Sequence, residues 1–265
     1  MPRPFLANST RRRLHPHRLW RVQQRWRDLL FAHWPVPAAE IATLLPSSLA
    51  VDTLEGSAWV GIVPFWMDRV RYRGLPMAPG ALRLPELNLR TYVHDRRKNL
   101  PGVYCFSLDV ASPLAATLGR LLSPLPCYWS KMQMEQEDTG TFHLSSKRQM
   151  SLRPARFGVR YRSLGRPAER GLIEYLLTSR QTLYLPSRSG RFYQSQLQQT
   201  PRPLEEAEAV FTANDLPVAH GIALPETPPL LHYSREMMVS AWNFEPLAQK
   251  GKLRARMTLT APKPL

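Results

Sequence analysis

The chain has 265 residues, enough for one large β-rich domain or two small ones. Hydrophobic residues make up 43% of it, which excludes an intrinsically disordered protein. The net charge of +16 is concentrated at the two ends: residues 1–27 hold eight arginines, residues 246–265 hold five basic residues, and neither range has an acid. The rest of the chain contains the other 23 basic residues and all 20 acidic residues, so its net charge is close to zero.

Arginine outnumbers lysine 30 to 6, which fits either phosphate recognition or the codon usage of a GC-rich genome. A nucleic-acid site would place aromatic residues among basic ones on one folded face. Trp20 and Trp26 lie near arginines, but we expect them to be core or anchoring residues. Contact with nucleic acid or other anions through the N-terminal arm is therefore the lesser alternative, and we do not expect nucleic acid to be the main partner.

Neither metal nor cofactor binding has a signature in this sequence. Cys105 and Cys127 stand apart, without histidines at ligand spacing, and no phosphate-binding glycine loop or HExxH pattern occurs. No apolar run approaches the roughly 20 residues of a membrane helix, and no apolar segment follows the N-terminal arginines as in a secretory signal. We expect a cytoplasmic protein without cofactor, and a homo-oligomer is compatible with the sequence.

Taken in chain order, the pattern predicts a basic arm, then a partly helical segment at 19–34, then many short strands. The strand at 57–66 contains Pro64, which implies an edge, a bulge or a strand end. A hairpin is predicted from 86–94 and 102–110, and another at 180–194. Further strands are expected at 127–134, 141–150 and 156–162. Helices are predicted at 37–46, 113–122 and 168–178, the second with Ser112 as N-cap before Pro113.

This tally predicts a mainly β (α+β) fold: a β-barrel or curved-sheet domain with a few peripheral helices, whose strands are mostly antiparallel because the connections are short.

The segment "ELNLRTYVH" at 86–94 alternates strictly between two faces. If the leucine-rich face packs outward beneath helices, then Glu86, Asn88, Arg90 and Tyr92 point into the barrel. A carboxylate, an amide, a guanidinium and a phenol would there form a site for a small, anionic ligand. The alternative is a solvent-exposed strand face with a link between Glu86 and Arg90.

Lys131 lies in "CYWSKMQM", among aromatic residues and methionines. Burial there would lower the pKa of the amine and make it a candidate nucleophile for Schiff-base chemistry. The alternative is a lysine whose stem lies on the strand and whose head reaches water.

Five separated motifs resemble the YqjF-like family, domain of unknown function 2071. They are "WRDLLFAHWPVP", "VDTLEGSAWVGIVPFWMDRVRYRGLP", "LPELNLRTYV", "GVYCFSLD" and "LPETPPLLHYSREMMVSAW". The resemblance covers residues 19–247 and leaves a basic arm at 1–18 and a basic tail at 248–265.

The family is placed in the acetoacetate decarboxylase-like superfamily, which implies a closed, strongly curved antiparallel β-barrel or cone with a central cavity and a few peripheral helices. In the true decarboxylases a cavity lysine forms a Schiff base with a β-keto acid, a neighbouring lysine lowers its pKa, and a glutamate and an arginine position the substrate. The resemblance implies that Glu86 takes the place of that glutamate and that Lys131 lies within a residue of the lysine pair. Ser130 stands where a second cation would be needed, which puts the Schiff base in doubt.

These observations predict a protein that binds or transforms a small organic acid or carbonyl compound. Arg90, Asn88 and Tyr92 would hold the ligand, Glu86 would act as acid/base, and Lys131 would make the protein a decarboxylase-like lyase if it forms a Schiff base. The alternative is a non-catalytic ligand-binding or interaction protein.

Overall fold

The computed structural model describes residues 19–75, 83–169, 171–186, 191–200 and 203–247. The predicted basic arm and tail, most of the loop at 73–85 and the turn of the second hairpin lie outside this described part. Within it there are thirteen strands, three α-helices and one 3₁₀ helix. No helix in the described part is long and apolar enough to cross a membrane.

The strands have the following bounds: β1 Val22–Val36, β2 Leu49–Val51, β3 Ala58–Tyr72, β4 Leu84–Asp95, β5 Leu100–Val110, β6 Cys127–Gln136, β7 Phe142–Arg148, β8 Arg156–Pro167, β9 Thr182–Pro186, β10 Phe192–Gln199, β11 Glu205–Asn214, β12 Leu230–Ala241 and β13 Glu245–Pro246. The helices are α1 Ala38–Thr43, α2 Pro113–Leu122 and α3 Leu172–Thr178, and the 3₁₀ helix is Val218–His220.

All thirteen strands belong to one sheet, in the order β13-β10-β9-β5-β6-β7-β8-β11-β12-β1-β3-β4-β2. Additional pairings of β5 with β4 and of β10 with β12 close this sheet partly into a ring. The mainly β, curved architecture predicted from the sequence is confirmed. The sheet is mixed rather than purely antiparallel, because β5 pairs in parallel with β6 and with β9. The β5–β6 pair requires a crossover connection, which α2 supplies.

In β1, β3, β4 and β5 the sheet is buried on both faces, whereas β6, β7, β8 and β11 expose one face. The largest core cluster takes residues from β1, β3 to β8, β9 and β12, together with Ile41 of α1. A second cluster on β1, β3 and β12 is built around Trp26, Leu29 and Phe65, so the prediction that Trp26 is a core residue is confirmed. Burial on both faces gives long apolar runs with isolated polar residues, which is the pattern of "LLFAHWPV" in β1.

The segment 19–34 is not helical as predicted but forms most of β1, a fifteen-residue strand. Its register against β3 shifts between Arg27, opposite Trp66, and Ala32, opposite Ile62, and this shift marks a β-bulge. Pro64 lies on β3 within the shift, which agrees with the prediction of a bulge at this proline. The sequence misleads here because a strand buried on both faces has no alternation to reveal its period of two.

The hairpin of β4 and β5 is confirmed, with Glu86 opposite Val110 at one end and Asp95 opposite Leu100 at the other. The start of α2 is also confirmed, because the Ser112 hydroxyl accepts a hydrogen bond from the Ala115 amide. Both elements had local signals: strict alternation in β4, and an N-cap serine before a proline in α2.

Candidate functional site

The four polar residues predicted on β4 lie on one face of the strand and are all buried. Glu86, Asn88 and Arg90 are 7%, 6% and 8% exposed, and Tyr92 is fully buried. The alternative of a solvent-exposed face is thereby excluded. The two faces of β4 are reversed relative to the prediction. The leucine face, which was expected beneath helices, joins the largest core cluster with residues of β6, β7 and β8. The polar face, which was expected to point into the barrel, contacts α3 through Arg90 and Tyr92.

Arg90 is a buried cation that, in the described part of the chain, hydrogen-bonds to a neutral group. Its Nη2 donates to the Leu177 carbonyl at 3.1 Å, and its guanidinium lies 5.4 Å from the Phe31 ring centroid and 5.7 Å from that of Tyr92. Among the described residues no carboxylate lies within ion-pairing distance, and Nε has no hydrogen-bond partner. Burying an unpaired charge costs several kcal/mol, so this arrangement favours a negatively charged partner for Arg90.

His33 of β1 completes the cluster through Tyr92, and the hydrogen bonds determine its tautomer. The Tyr92 hydroxyl lies 2.7 Å from the Leu177 carbonyl and 2.6 Å from His33 Nε2. The carbonyl can only accept, so the single hydroxyl proton goes to Leu177, and His33 Nε2–H donates to the tyrosine oxygen. His33 is neutral, because burial and then the charge of Arg90 hold its pKa well below the usual range. Its Nδ1 is therefore a buried acceptor, and it has no partner in the described part.

Glu86 lies at the other end of the same row. Burial raises its pKa to about 7, and the charge of Asp109 acts in the same direction. A hydrogen bond from Asn88 partly offsets this rise by stabilising the carboxylate. A carboxyl group with this pKa exchanges a proton readily near neutral pH. The Oδ1 atom of Asn88 has no partner among the described residues. The row and His33 thus combine a buried guanidinium without an acidic partner, two acceptor atoms without partners in the described part and a carboxyl group with a raised pKa.

The C-terminal end of α3 is anchored over this row. Arg90 and Tyr92 both donate to the Leu177 carbonyl, and Arg180 Nε donates to the Leu176 carbonyl at 2.9 Å. Arg180, unlike Arg90, is paired with a carboxylate: its Nη1 lies 2.9 Å from Asp52 Oδ2. These contacts satisfy carbonyl groups that a helix end leaves without partners.

Lys131 does not belong to this cluster. Its side chain is exposed on β6, opposite Lys147 of β7, so the alternative of a lysine with its head in water is the one observed. Successive strand residues point to opposite faces, and the inward position is taken by Ser130, which is fully buried. The three lysines of the described part, Lys98, Lys131 and Lys147, are all exposed. The apolar environment that would activate an amine is absent at each of them.

Ser130 belongs to a second buried polar cluster, which sequence reasoning did not find. Its hydroxyl donates to Asp109 at 2.8 Å, and Asp109 receives two hydrogen bonds from Arg148, at 2.6 and 2.8 Å. Arg148 also stacks on Tyr128, 3.8 Å from the ring centroid. Burial and the neighbouring arginines lower the pKa of His220 to about 3, so this imidazole is neutral as well.

The residues missed by sequence reasoning share one local signal. His33 is the one polar residue of the apolar run "LLFAHWPV", and Asp109 in "CFSLDV" is the one charged residue of its run. Their partners lie 59 and 39 positions away, at Tyr92 and Arg148, so spacing could not have paired them. Within the described residues, no group of three or more histidine, cysteine or acidic side chains is placed to hold a metal ion.

Among solved structures, the acetoacetate decarboxylase of Legionella pneumophila superposes with a TM-score of 0.62 at 12% identity, covering 89% of this chain and 93% of that one. The enduracididine biosynthesis enzyme MppR, complexed with pyruvate, gives a TM-score of 0.59 at 11% identity, covering 89% and 93%. At these identities the likeness establishes a shared fold.

Sequence comparison gives the family. The uncharacterised protein YqjF of Bacillus subtilis (strain 168) is 39% identical over 229 residues, which are 86% of this chain and 93% of that protein. A family model described as an uncharacterised conserved protein, DUF2071, matches residues 23–238. The chain therefore belongs to the YqjF-like family, domain of unknown function 2071, and has the acetoacetate decarboxylase-like fold.

Proposed function

We propose that this protein binds a small organic acid of the keto acid class, with Arg90 as the group that holds the carboxylate. The observation that carries the proposal is the buried guanidinium of Arg90, which has no acidic partner in the described part and an unused Nε. A carboxylate would supply the missing charge and accept two parallel hydrogen bonds from the guanidinium.

Three neighbouring groups support this ligand class. His33 Nδ1 and Asn88 Oδ1 are acceptors for a hydroxyl or enol group of the ligand. Glu86, with a pKa of about 7, is suited to donate or accept a proton at the ligand carbonyl. Pyruvate is bound by MppR, which has the same fold, and this favours short keto acids as the first ligands to test.

The exposed position of Lys131 favours a site without covalent chemistry. A Schiff base requires an unprotonated amine next to the substrate, and the structure places this side chain in solvent. The proposed activity is therefore non-covalent binding, with proton transfer by Glu86 as the chemical step available to it. Decarboxylation through Lys131 stays a separate prediction, which the second experiment below tests.

The first experiment is isothermal titration of the protein with pyruvate and acetoacetate. Arg90→Gln removes the charge at similar length, and we expect affinity to fall at least about tenfold, since a charge-assisted hydrogen bond contributes about 1.5–3 kcal/mol. Arg180→Gln is the matched control: this arginine is equally buried and also contacts α3, but it is paired with Asp52. It should lower the melting temperature and leave the affinity unchanged.

A folded Arg90→Gln protein with full affinity would overturn the proposal. If that variant does not fold, Arg90→Lys keeps the charge but loses the two-pronged geometry, and it should bind with intermediate affinity. Equal affinities of Arg90→Lys and wild type would also contradict the assignment.

The second experiment tests the covalent route by intact mass after borohydride treatment with the same keto acids. We expect no adduct with wild type or with Lys131→Met. An adduct that disappears in Lys131→Met would show Schiff-base chemistry and would replace non-covalent binding as the mechanism.

A further inference from the structure

A surface pocket with basic and aromatic walls lies where β1 begins and β3 ends. It has a volume of about 340 Å³, and its lining includes Trp20, Arg21, Tyr72, Arg73 and Asn243. None of these residues belongs to the Arg90 cluster. We call it the Trp20 pocket.

The backbone around the Trp20 pocket is held by hydrogen bonds. The Arg73 amide donates to the Arg21 carbonyl at 2.9 Å, and the Arg21 amide donates to the Ala241 carbonyl at 2.8 Å. Arg21 Nη1 also donates to Asn243 Oδ1 at 3.3 Å. Three chain segments, at the start of β1, the end of β3 and the end of β12, are thus joined by hydrogen bonds beneath the pocket.

Arginine and aromatic side chains alternate at this place. The guanidinium groups of Arg71 and Arg73 lie 5.3 and 5.5 Å from the Trp20 ring centroid, and Tyr72 between them is 52% exposed. An exposed tyrosine ring is a surface on which a planar group can stack, and guanidinium groups bind phosphate with two hydrogen bonds. Tyr72, Arg21 and Arg73 line the same pocket as Trp20, and Arg71 lies beside that tryptophan, so aromatic and basic groups are available to one ligand, as a nucleic-acid site requires.

The charge around the pocket has one sign. Among the described residues that line it there are two arginines, Arg21 and Arg73, and no acidic residue. The ligand should therefore be both planar and negatively charged. A pocket of about 340 Å³ is at the lower end of the range of small-molecule sites, which suits a ligand the size of one nucleotide.

We propose that the Trp20 pocket binds a nucleotide unit, with the base stacked on Tyr72 and the phosphate held by Arg71, Arg73 and Arg21. The unit is either a free mononucleotide or one residue of a single strand. This site is independent of the keto acid site proposed above. The sequence alone favoured a core or anchoring role for Trp20. The structure adds Arg71 and Tyr72 at the end of β3 and Arg73 directly after it. These residues lie about fifty positions further along the chain, so spacing could not have placed them beside Trp20.

The test uses the full chain and fluorescence anisotropy with a labelled single strand of about 12 nucleotides. Mononucleotides are then added as competitors. We expect binding that weakens as salt is raised. Tyr72→Ala should reduce affinity about tenfold through lost stacking, and Arg71→Gln with Arg73→Gln should reduce it at least as much. If a mononucleotide displaces the labelled strand, the ligand of the pocket is a free mononucleotide. If it does not, the ligand is one residue of a single strand. Both results support a nucleotide site in the Trp20 pocket.

The matched control is the double variant Lys131→Gln with Lys147→Gln, which removes the same charge from exposed positions on β6 and β7. Its affinity should equal that of wild type. The proposal is overturned if both double variants lose affinity equally, because attraction would then depend on net charge alone. It is also overturned if Tyr72→Ala has no effect, or if the protein binds anionic vesicles but not the strand.

Discussion

Arg90 and Arg148 are both arginines buried in the same sheet, and their partners differ. Arg148 is held by two hydrogen bonds from its guanidinium to Asp109, whereas the guanidinium of Arg90 has a backbone carbonyl and two aromatic rings around it. The first arrangement is complete without a ligand. The second leaves a charge that a ligand can neutralise, which is why the proposed function is assigned to Arg90.

Glu86 gives a prediction at the residue scale. Its pKa of about 7 lies above the ordinary 4.5 because burial disfavours the carboxylate. A group with a raised folded-state pKa stabilises the fold fully below its unfolded pKa, and this contribution is lost as pH rises through 7. We therefore expect the stability of wild type relative to Glu86→Gln to fall by about 3 kcal/mol between pH 4.5 and pH 8.

Urea unfolding of both proteins across this pH range measures the effect. The lowered pKa values of His33 and His220 act in the opposite direction, since each histidine destabilises the fold as pH falls below 6.5. Those contributions are common to both proteins and cancel in the difference. A pH-independent difference would show that Glu86 is not buried as described.

At the scale of elements, the β1–β3 pair depends on one residue in an unusual conformation. Asp28 lies in the bulge with a φ of 54°, a left-handed region that aspartate and asparagine tolerate better than most residues. Its Oδ1 accepts a hydrogen bond from the Tyr233 hydroxyl at 2.9 Å, and its Oδ2 lies 3.0 Å from Arg83 Nη2. Its backbone carbonyl accepts from the Tyr161 hydroxyl at 2.5 Å. The bulge is thereby joined to β8 and β12.

Asp28→Ala should destabilise the protein by about 2 kcal/mol, because it loses the side-chain hydrogen bonds and tolerates the positive φ poorly. Asp28→Asn keeps an acceptor for Tyr233 and a favourable conformation, and it should lose about half as much. Thermal or urea denaturation of the two variants checks the order. An alanine variant as stable as the asparagine variant would contradict the role of the bulge.

Prediction from sequence succeeded for elements with local signals. The alternation of β4 and the Ser112–Pro113 start of α2 are visible within ten residues, and both were confirmed. The long strand β1 was mistaken for a partly helical segment because its two buried faces remove the alternation. The parallel pairing of β5 with β6 and β9 joins residues that no local pattern connects.

At the scale of the whole molecule, the two strands that end the sheet in the described part are short. They are β2 and β13, which have three and two residues. Short edges protect a β protein against pairing with other chains. Strand β1 pairs with β12, so the sheet is complete only when both ends of the chain are in place.

This architecture predicts cooperative unfolding. The core clusters on the two faces share β1 and β3, and neither can be lost while the other persists. Tryptophan fluorescence, to which all seven tryptophans of the chain contribute, and far-ultraviolet circular dichroism should give coincident urea transitions. Two separate transitions would show that the partly closed ring consists of independent folding units.

The sequence by itself determined the fold class and the family, since both depend on local patterns: strand-forming segments, turn residues and motifs in a given order. It also singled out the row of Glu86, Asn88, Arg90 and Tyr92, because alternation is a property of one strand. Only the tertiary structure decided that this row is buried beneath α3, that His33 joins it and that Lys131 faces water. Those facts depend on which strands pair and in which register, and a shift of one residue reverses every side chain of a strand.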